Sequence, residues 1–113
     1  MIRIVLVTAP AKAAEALARR LLQERLIACA NLLPGVRSLY RWQGRLEQAR
    51  ETLLVLKAPS RNTRKLMARV QELHPYDVPE ILVLPVAAAH APYARWVLEE
   101  ARPANVSGRK GAK

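Results

Sequence analysis

The apolar residues of this chain change their period several times, and each change marks an element. Ile2 to Val7 reads Ile-Arg-Ile-Val-Leu-Val, nearly continuous and rich in β-branched side chains, which predicts a central strand. Thr8-Ala9-Pro10 ends it and opens a helix, because proline is tolerated where the helical N–H groups have no partner. From Lys12 to Leu26 the period becomes helical. Ala14, Leu17, Ala18, Leu21 and Leu22 fall on one face, with Glu15, Arg19, Gln23 and Glu24 on others. Ala28 to Leu33 reads as a second extended segment, interrupted by Pro34-Gly35, where a bulge or bend is expected. The strand resumes at Val36, runs through Tyr40 and Trp42, turns at Gln43-Gly44 and returns through Leu46 to Leu53-Leu54-Val55-Leu56.

Residues 28 to 58 therefore form one long bent hairpin. Each arm exceeds ten residues, about twice the usual strand of about 5–6. Arms of that length outrun the body of one small domain. Their tip carries Leu39, Tyr40 and Trp42 among Arg37, Arg41 and Arg45. An exposed edge with large apolar side chains calls for a partner strand, and the simplest partner is a second copy of the chain. Leu39, Tyr40 and Trp42 are thus expected at an interface between copies.

A second helix is expected to start at Ser60, a good N-cap, with Leu66, Met67, Val70 and Leu73 on its apolar face. Pro75 disfavours helical dihedrals at His74 and should stop it there. Ile81 to Val86 reads as another buried strand. His90-Ala91-Pro92 opens a third helix in which Tyr93, Trp96 and Val97 share a face. The order strand, helix, strand, strand, helix, strand, helix predicts an α+β fold of the ferredoxin-like, split β-α-β type, with an extra C-terminal helix. Residues 1–101 form the single domain and 102–113 a basic, disordered tail.

Charge changes this picture little. The chain has 113 residues and a formal net charge of +10. Four of its cations, Arg102, Arg109, Lys110 and Lys113, lie in an acid-free tail, leaving fifteen cations against nine acids, a net +6, before it. No basic helix or aromatic-studded strand stands out, so nucleic acid is not the expected partner. No apolar run approaches the roughly 20 residues of a membrane span. The N-terminus does not read as a signal peptide, and the single cysteine, Cys29, has no partner for an internal disulfide. The expected location is the cytoplasm.

Chemistry-bearing residues concentrate in His74-Pro75-Tyr76-Asp77-Val78-Pro79-Glu80. Histidine, tyrosine and carboxylates are the types used in acid/base catalysis. The chain lacks a nucleophile beside a base, a phosphate-cradling glycine loop or a run of metal ligands, so an enzyme is not expected. Cys29, between two alanines, reads as a small core residue. His74 reads as a partner for a carbonyl or carboxylate at the helix end.

Three blocks carry a resemblance. They are Ala28-Cys29-Ala30-Asn31-Leu32-Leu33-Pro34-Gly35-Val36, then Ser38-x-Tyr40-x-Trp42-x-Gly44, then His74-Pro75-Tyr76-x-x-Pro79-Glu80-Ile81. In this order the chain resembles the CutA family of divalent-cation tolerance proteins, over roughly residues 2 to 98. The resemblance implies a ferredoxin-like homotrimer interlocked through its hairpins, with the trimer architecture of the PII signalling proteins, and a role in tolerance of copper and other divalent metals. In copper-binding relatives the ligands are a cysteine at the end of the first strand and two consecutive histidines before Pro-Tyr. Here those positions hold Val7 and Leu73-His74, which leaves His74 as the sole candidate ligand. No obligatory cofactor is expected, only weak binding of copper or another divalent cation. The alternative function is sensing of a small anionic ligand in clefts between subunits, with Lys57, Tyr76 and Glu80 as wall residues.

Overall fold

A computed structural model describes residues 1–103. Strand β1 (Ile2–Ala9) is followed by helix α1 (Ala11–Gln23), the long strands β2 (Cys29–Trp42) and β3 (Arg45–Pro59), and helix α2 (Thr63–Leu73). Strand β4 (Ile81–Pro85) and helix α3 (Ala91–Glu100) complete the order. One antiparallel sheet runs β2-β3-β1-β4, so each β-α-β unit is split by a strand inserted between its members. This is the expected α+β, ferredoxin-like arrangement. The expected tail lies beyond most of what is described, residues 104–113 being outside it.

The core occupies the face of the sheet that α1 and α2 cover. Val5 opposes Leu56 and Val7 opposes Leu54 across β1 and β3. Directly paired residues share a face, and all four are fully buried beneath Leu17 and Leu21 of α1 and Leu66 and Val70 of α2. Val7 is therefore a core residue.

The alternate residues face the other way and meet less cover. Ile4 opposes Leu84 and Leu6 opposes Leu82, with Val55 across from Leu6 on the other side. Leu82 is 53% and Leu84 39% exposed. Helix α3 closes one end of this face, where Val97 and Ala101 pack on Ile2 and Ala28. The expected burial of β4 is thus met on one side only. Tyr93 and Trp96 of α3 stack at 5.7 Å but remain half exposed, and Val97 alone of the three expected residues is buried.

Three boundaries differ from expectation for local reasons. Helix α1 ends before Leu26 because Arg25 turns left-handed (φ 58°). The Leu26 N–H then donates to the Leu21 carbonyl and the Arg25 N–H to that of Leu22, each at 3.1 Å, a Schellman closure with arginine in the usual glycine place. Leu22 is left exposed. Ser60 does not cap α2: Ser60–Asn62 form a 3-10 turn first, whose Ser60 carbonyl accepts from the Thr63 hydroxyl at 2.9 Å. Buried Asn62 instead donates its side-chain amide to the carbonyls of Leu26 (3.1 Å) and Ala101 (3.0 Å), tying the ends of α1 and α3 together.

The hairpin bends at Pro34-Gly35, where the pairing register shifts between Leu33 and Val36 and Gly35 adopts φ 76°. Fourteen residues of β2 at about 3.3 Å each span roughly 46 Å, which accounts for a longest dimension of 54 Å against 29 and 22 Å. The arms overhang the body, as their length requires.

Candidate functional site

Beyond the bend, strand alternation puts Val36, Ser38, Tyr40 and Trp42 of β2 on one face with Glu51 of β3, which pairs with Val36. The seven-residue segment after α2 comes up against this face. Its entry is fixed by His74, whose backbone is extended (ψ 142°), as the following proline demands. The His74 ring is buried and uses both nitrogens. Nε2 lies 2.8 Å from the Thr8 carbonyl, and Nδ1 3.1 Å from the Tyr76 backbone nitrogen. A backbone N–H can only donate, so Nδ1 accepts and Nε2 carries the proton that goes to Thr8: the ring is the neutral Nε2–H tautomer. It latches the segment to the end of β1.

That latch aims Tyr76 at β3. Its ring lies 4.8 Å from the His74 ring, and its hydroxyl donates to Glu51 Oε2 at 2.8 Å. Ser38 donates to the other oxygen, Oε1, at 2.6 Å. Glu51 is only 6% exposed, so these two hydroxyls replace the water its carboxylate gives up. Burial, then the hydrogen bond to Glu51 and the charge beside it, push the Tyr76 phenol up to about 12. Near neutral pH it is a donor that stays protonated, and nothing here forms an activated nucleophile.

Around Glu51 lies a cleft of about 670 Å³, lined by Thr8, Arg37, Ser38, Leu39, Tyr40, Trp42, Tyr76, Asp77, Val78 and Glu80. Of the residues expected from the sequence, Tyr76 and Glu80 meet here, together with Leu39, Tyr40 and Trp42. Lys57 does not line this cleft. It sits opposite Cys29 on β2 and donates to the Asn31 side-chain carbonyl. Cys29 departs from the expected core position: it is half-buried, 3.8 Å from Asn31 Oδ1. The Tyr93 phenol is pushed up by burial and by the Cys29 thiol alongside.

Glu51 and Ser38 are not among the site residues expected from the sequence, although Ser38 opens the second block of the resemblance. Their signal was faint, a carboxylate at the head of an apolar run and a serine in a strand of large residues. No group of three or more His, Cys, Asp or Glu stands close enough to hold a metal ion among the described residues. With one ring nitrogen donating and the other accepting, His74 would have to surrender the latch to bind one. Val7, within the core, contributes no ligand.

A protein-family model described as CutA1 divalent ion tolerance protein matches residues 3–100. A curated relative from Thermus thermophilus, named divalent-cation tolerance protein CutA, is 44% identical over 100 residues, 88% of this chain and 97% of its own. The solved PII-like protein CutA from Nostoc superposes with a TM-score of 0.86 at 35% identity, covering 90% of this chain and 99% of that one. The solved CutA from Archaeoglobus fulgidus, named a periplasmic divalent cation tolerance protein, also gives 0.86, at 30% identity over 90% of this chain and 100% of its own. Matched along nearly all of its described length, the chain belongs to the CutA1 family of divalent ion tolerance proteins.

Proposed function

We propose that this chain works as a homotrimeric divalent-cation tolerance module in the cytoplasm, acting through assembly and binding without turnover. The observation that carries the reading is the uncovered sheet face. Ile4, Leu6, Leu82, Leu84 and Val55 form an apolar surface on the side away from α1 and α2, continuous with arms that reach past the body. A surface of that kind is what subunits bury, with Tyr40 and Trp42 on the same side of the arm as its outlying anchors and Leu39 an exposed interface residue on the arm's opposite face. Among the described residues no helix is long and apolar enough to cross a membrane.

Metal enters this reading as the agent to which the assembly responds, with His74 as a structural latch. Calorimetric titration with copper should give the same weak binding in wild type and His74→Gln, and loss of a binding step in the variant would make His74 a ligand. The anion-sensing alternative has less support in the cleft, where Glu51, Asp77 and Glu80 stand against Arg37. The functional test is growth on copper of a host lacking its own CutA, complemented with this chain. Tyr40→Ser/Trp42→Ser should lose assembly and tolerance together. Full tolerance from a monomeric variant would refute the role of assembly.

A further inference from the structure

We infer that the cleft around Glu51 binds a small organic ammonium ion, with Glu51 as its counter-charge and Tyr40, Trp42 and Tyr76 as its aromatic walls. This takes the binding role proposed above as given and names the chemistry of what is bound.

The carboxylate sets the demand. Glu51 is 6% exposed, and its two oxygens accept one bond each, from Ser38 and Tyr76. Both donors are neutral hydroxyls, and Glu51 forms no ion pair among the described residues. Each carboxylate oxygen has a second acceptor site, so room remains for a cationic donor. A buried charge without an opposite charge is costly, and the cost persists if a neighbouring subunit covers the cleft.

The walls select among cations. Strand alternation puts Tyr40 and Trp42 on the face of Glu51, and the His74 latch brings Tyr76 to it. Aromatic faces attract cations, organic ammonium ions above all. Asp77 and Glu80 also line the cleft, so three carboxylates stand against the one guanidinium of Arg37, which donates to the Gln48 side-chain carbonyl at 3.2 Å. An anion is therefore repelled. A bare metal ion is served no better. No three ligating groups stand together among the described residues, whereas hard divalent ions take about six or more oxygens. The cleft of about 670 Å³ falls in the range of about 300–1,000 Å³ that small-molecule sites occupy. An organic ammonium ion meets every demand at once: its charge answers Glu51, its methyl groups lie on the rings, and its bulk fills the space.

The test titrates the full chain at constant ionic strength with choline chloride, with the uncharged analogue in which carbon replaces the choline nitrogen, and with sodium phosphate. Trp96→Phe leaves Trp42 as the only tryptophan, so its fluorescence reports the cleft, and calorimetry supplies an independent affinity. Choline should saturate the site, with half-saturation roughly tenfold below that of the uncharged analogue. Glu51→Gln should erase that preference while circular dichroism stays unchanged. Should Glu51→Gln fail to fold, Asp77→Asn/Glu80→Gln keeps both hydroxyl bonds to Glu51 and should weaken choline by about fivefold. Equal affinity for choline and its uncharged analogue, or saturation by phosphate alone, overturns the inference. Light scattering on the same samples separates it from the assembly. A trimer that ignores choline overturns the ligand and leaves the trimer standing. A monomer that binds choline upholds the ligand and overturns the trimer, and a monomer that ignores it overturns both.

Discussion

Tyr76→Phe removes one oxygen and so isolates the bond that joins the family segment to the hairpin. The phenylalanine keeps the contact with the His74 ring, while Glu51 retains only Ser38 as hydroxyl donor. A hydrogen bond to a charged acceptor contributes about 1.5–3 kcal/mol. The vacated oxygen belongs to Glu51, only 6% exposed, but Ser38 still donates to the same carboxylate, which favours the lower end, about 1.5 kcal/mol. For a domain of this size, that lowers the melting temperature by roughly 4–8 °C. Ser38→Ala should cost a similar amount. The double variant should lose more than the two together, because only then is the buried carboxylate without either donor. The pH profile supplies a second readout. The folded-state pKa of Tyr76, about 12, lies above its ordinary value of 10.0, so its contribution is complete below pH 10 and is lost as pH rises through 12. Thermal unfolding between pH 8 and pH 12 should show that alkaline decline in wild type and a shallower one in Tyr76→Phe. Unchanged stability together with an unchanged alkaline limb would refute the account of Glu51 and its donors.

Two other contacts make separate predictions. The Arg69 guanidinium, assisted by Arg20, holds Glu24 down to about 2 against an ordinary 4.5. Its stabilisation is present above pH 4.5 and lost as pH falls through 2, so Glu24→Gln should flatten part of the acid limb in urea unfolding, and an unaltered limb would count against the bridge. Asn62→Ala leaves the Leu26 and Ala101 carbonyls without their donor and should cost about 1–3 kcal/mol. Amide hydrogen exchange should then speed up at residues 24–28 and 98–102 ahead of the sheet, whereas uniform acceleration would deny Asn62 a local tie.

Periodicity revealed the elements because each is amphipathic in its own way, and the overhang followed from arm length alone. What stayed hidden depends on contacts distant in sequence. Glu51 draws its donors from 13 residues upstream and 25 downstream, a convergence that strand alternation cannot announce before the register is known. The end of α1 carried no glycine to mark it, since Arg25 bears the left-handed turn. Ser60 looked like a cap by type, yet the chain needed Asn62 for longer ties and began its helix one turn later. Leu82 and Leu84 read as buried because a continuous apolar run implies cover on both faces, which one copy does not supply. The segment from His74 to Glu80 was visible as a concentration of chemistry. Its work, on this structure, is to latch β1, present Tyr76 to Glu51 and line a cleft.

Native mass spectrometry of the purified protein tests the central claim most directly, because one spectrum reads both the assembly and anything it retains. The account predicts a single species at three times the 12.6 kDa chain mass at micromolar concentration, unaltered by a chelator wash. A 12.6 kDa monomer would contradict the assembly reading. A trimer that keeps a stoichiometric metal mass lost in His74→Gln would contradict the reading of His74 as a latch.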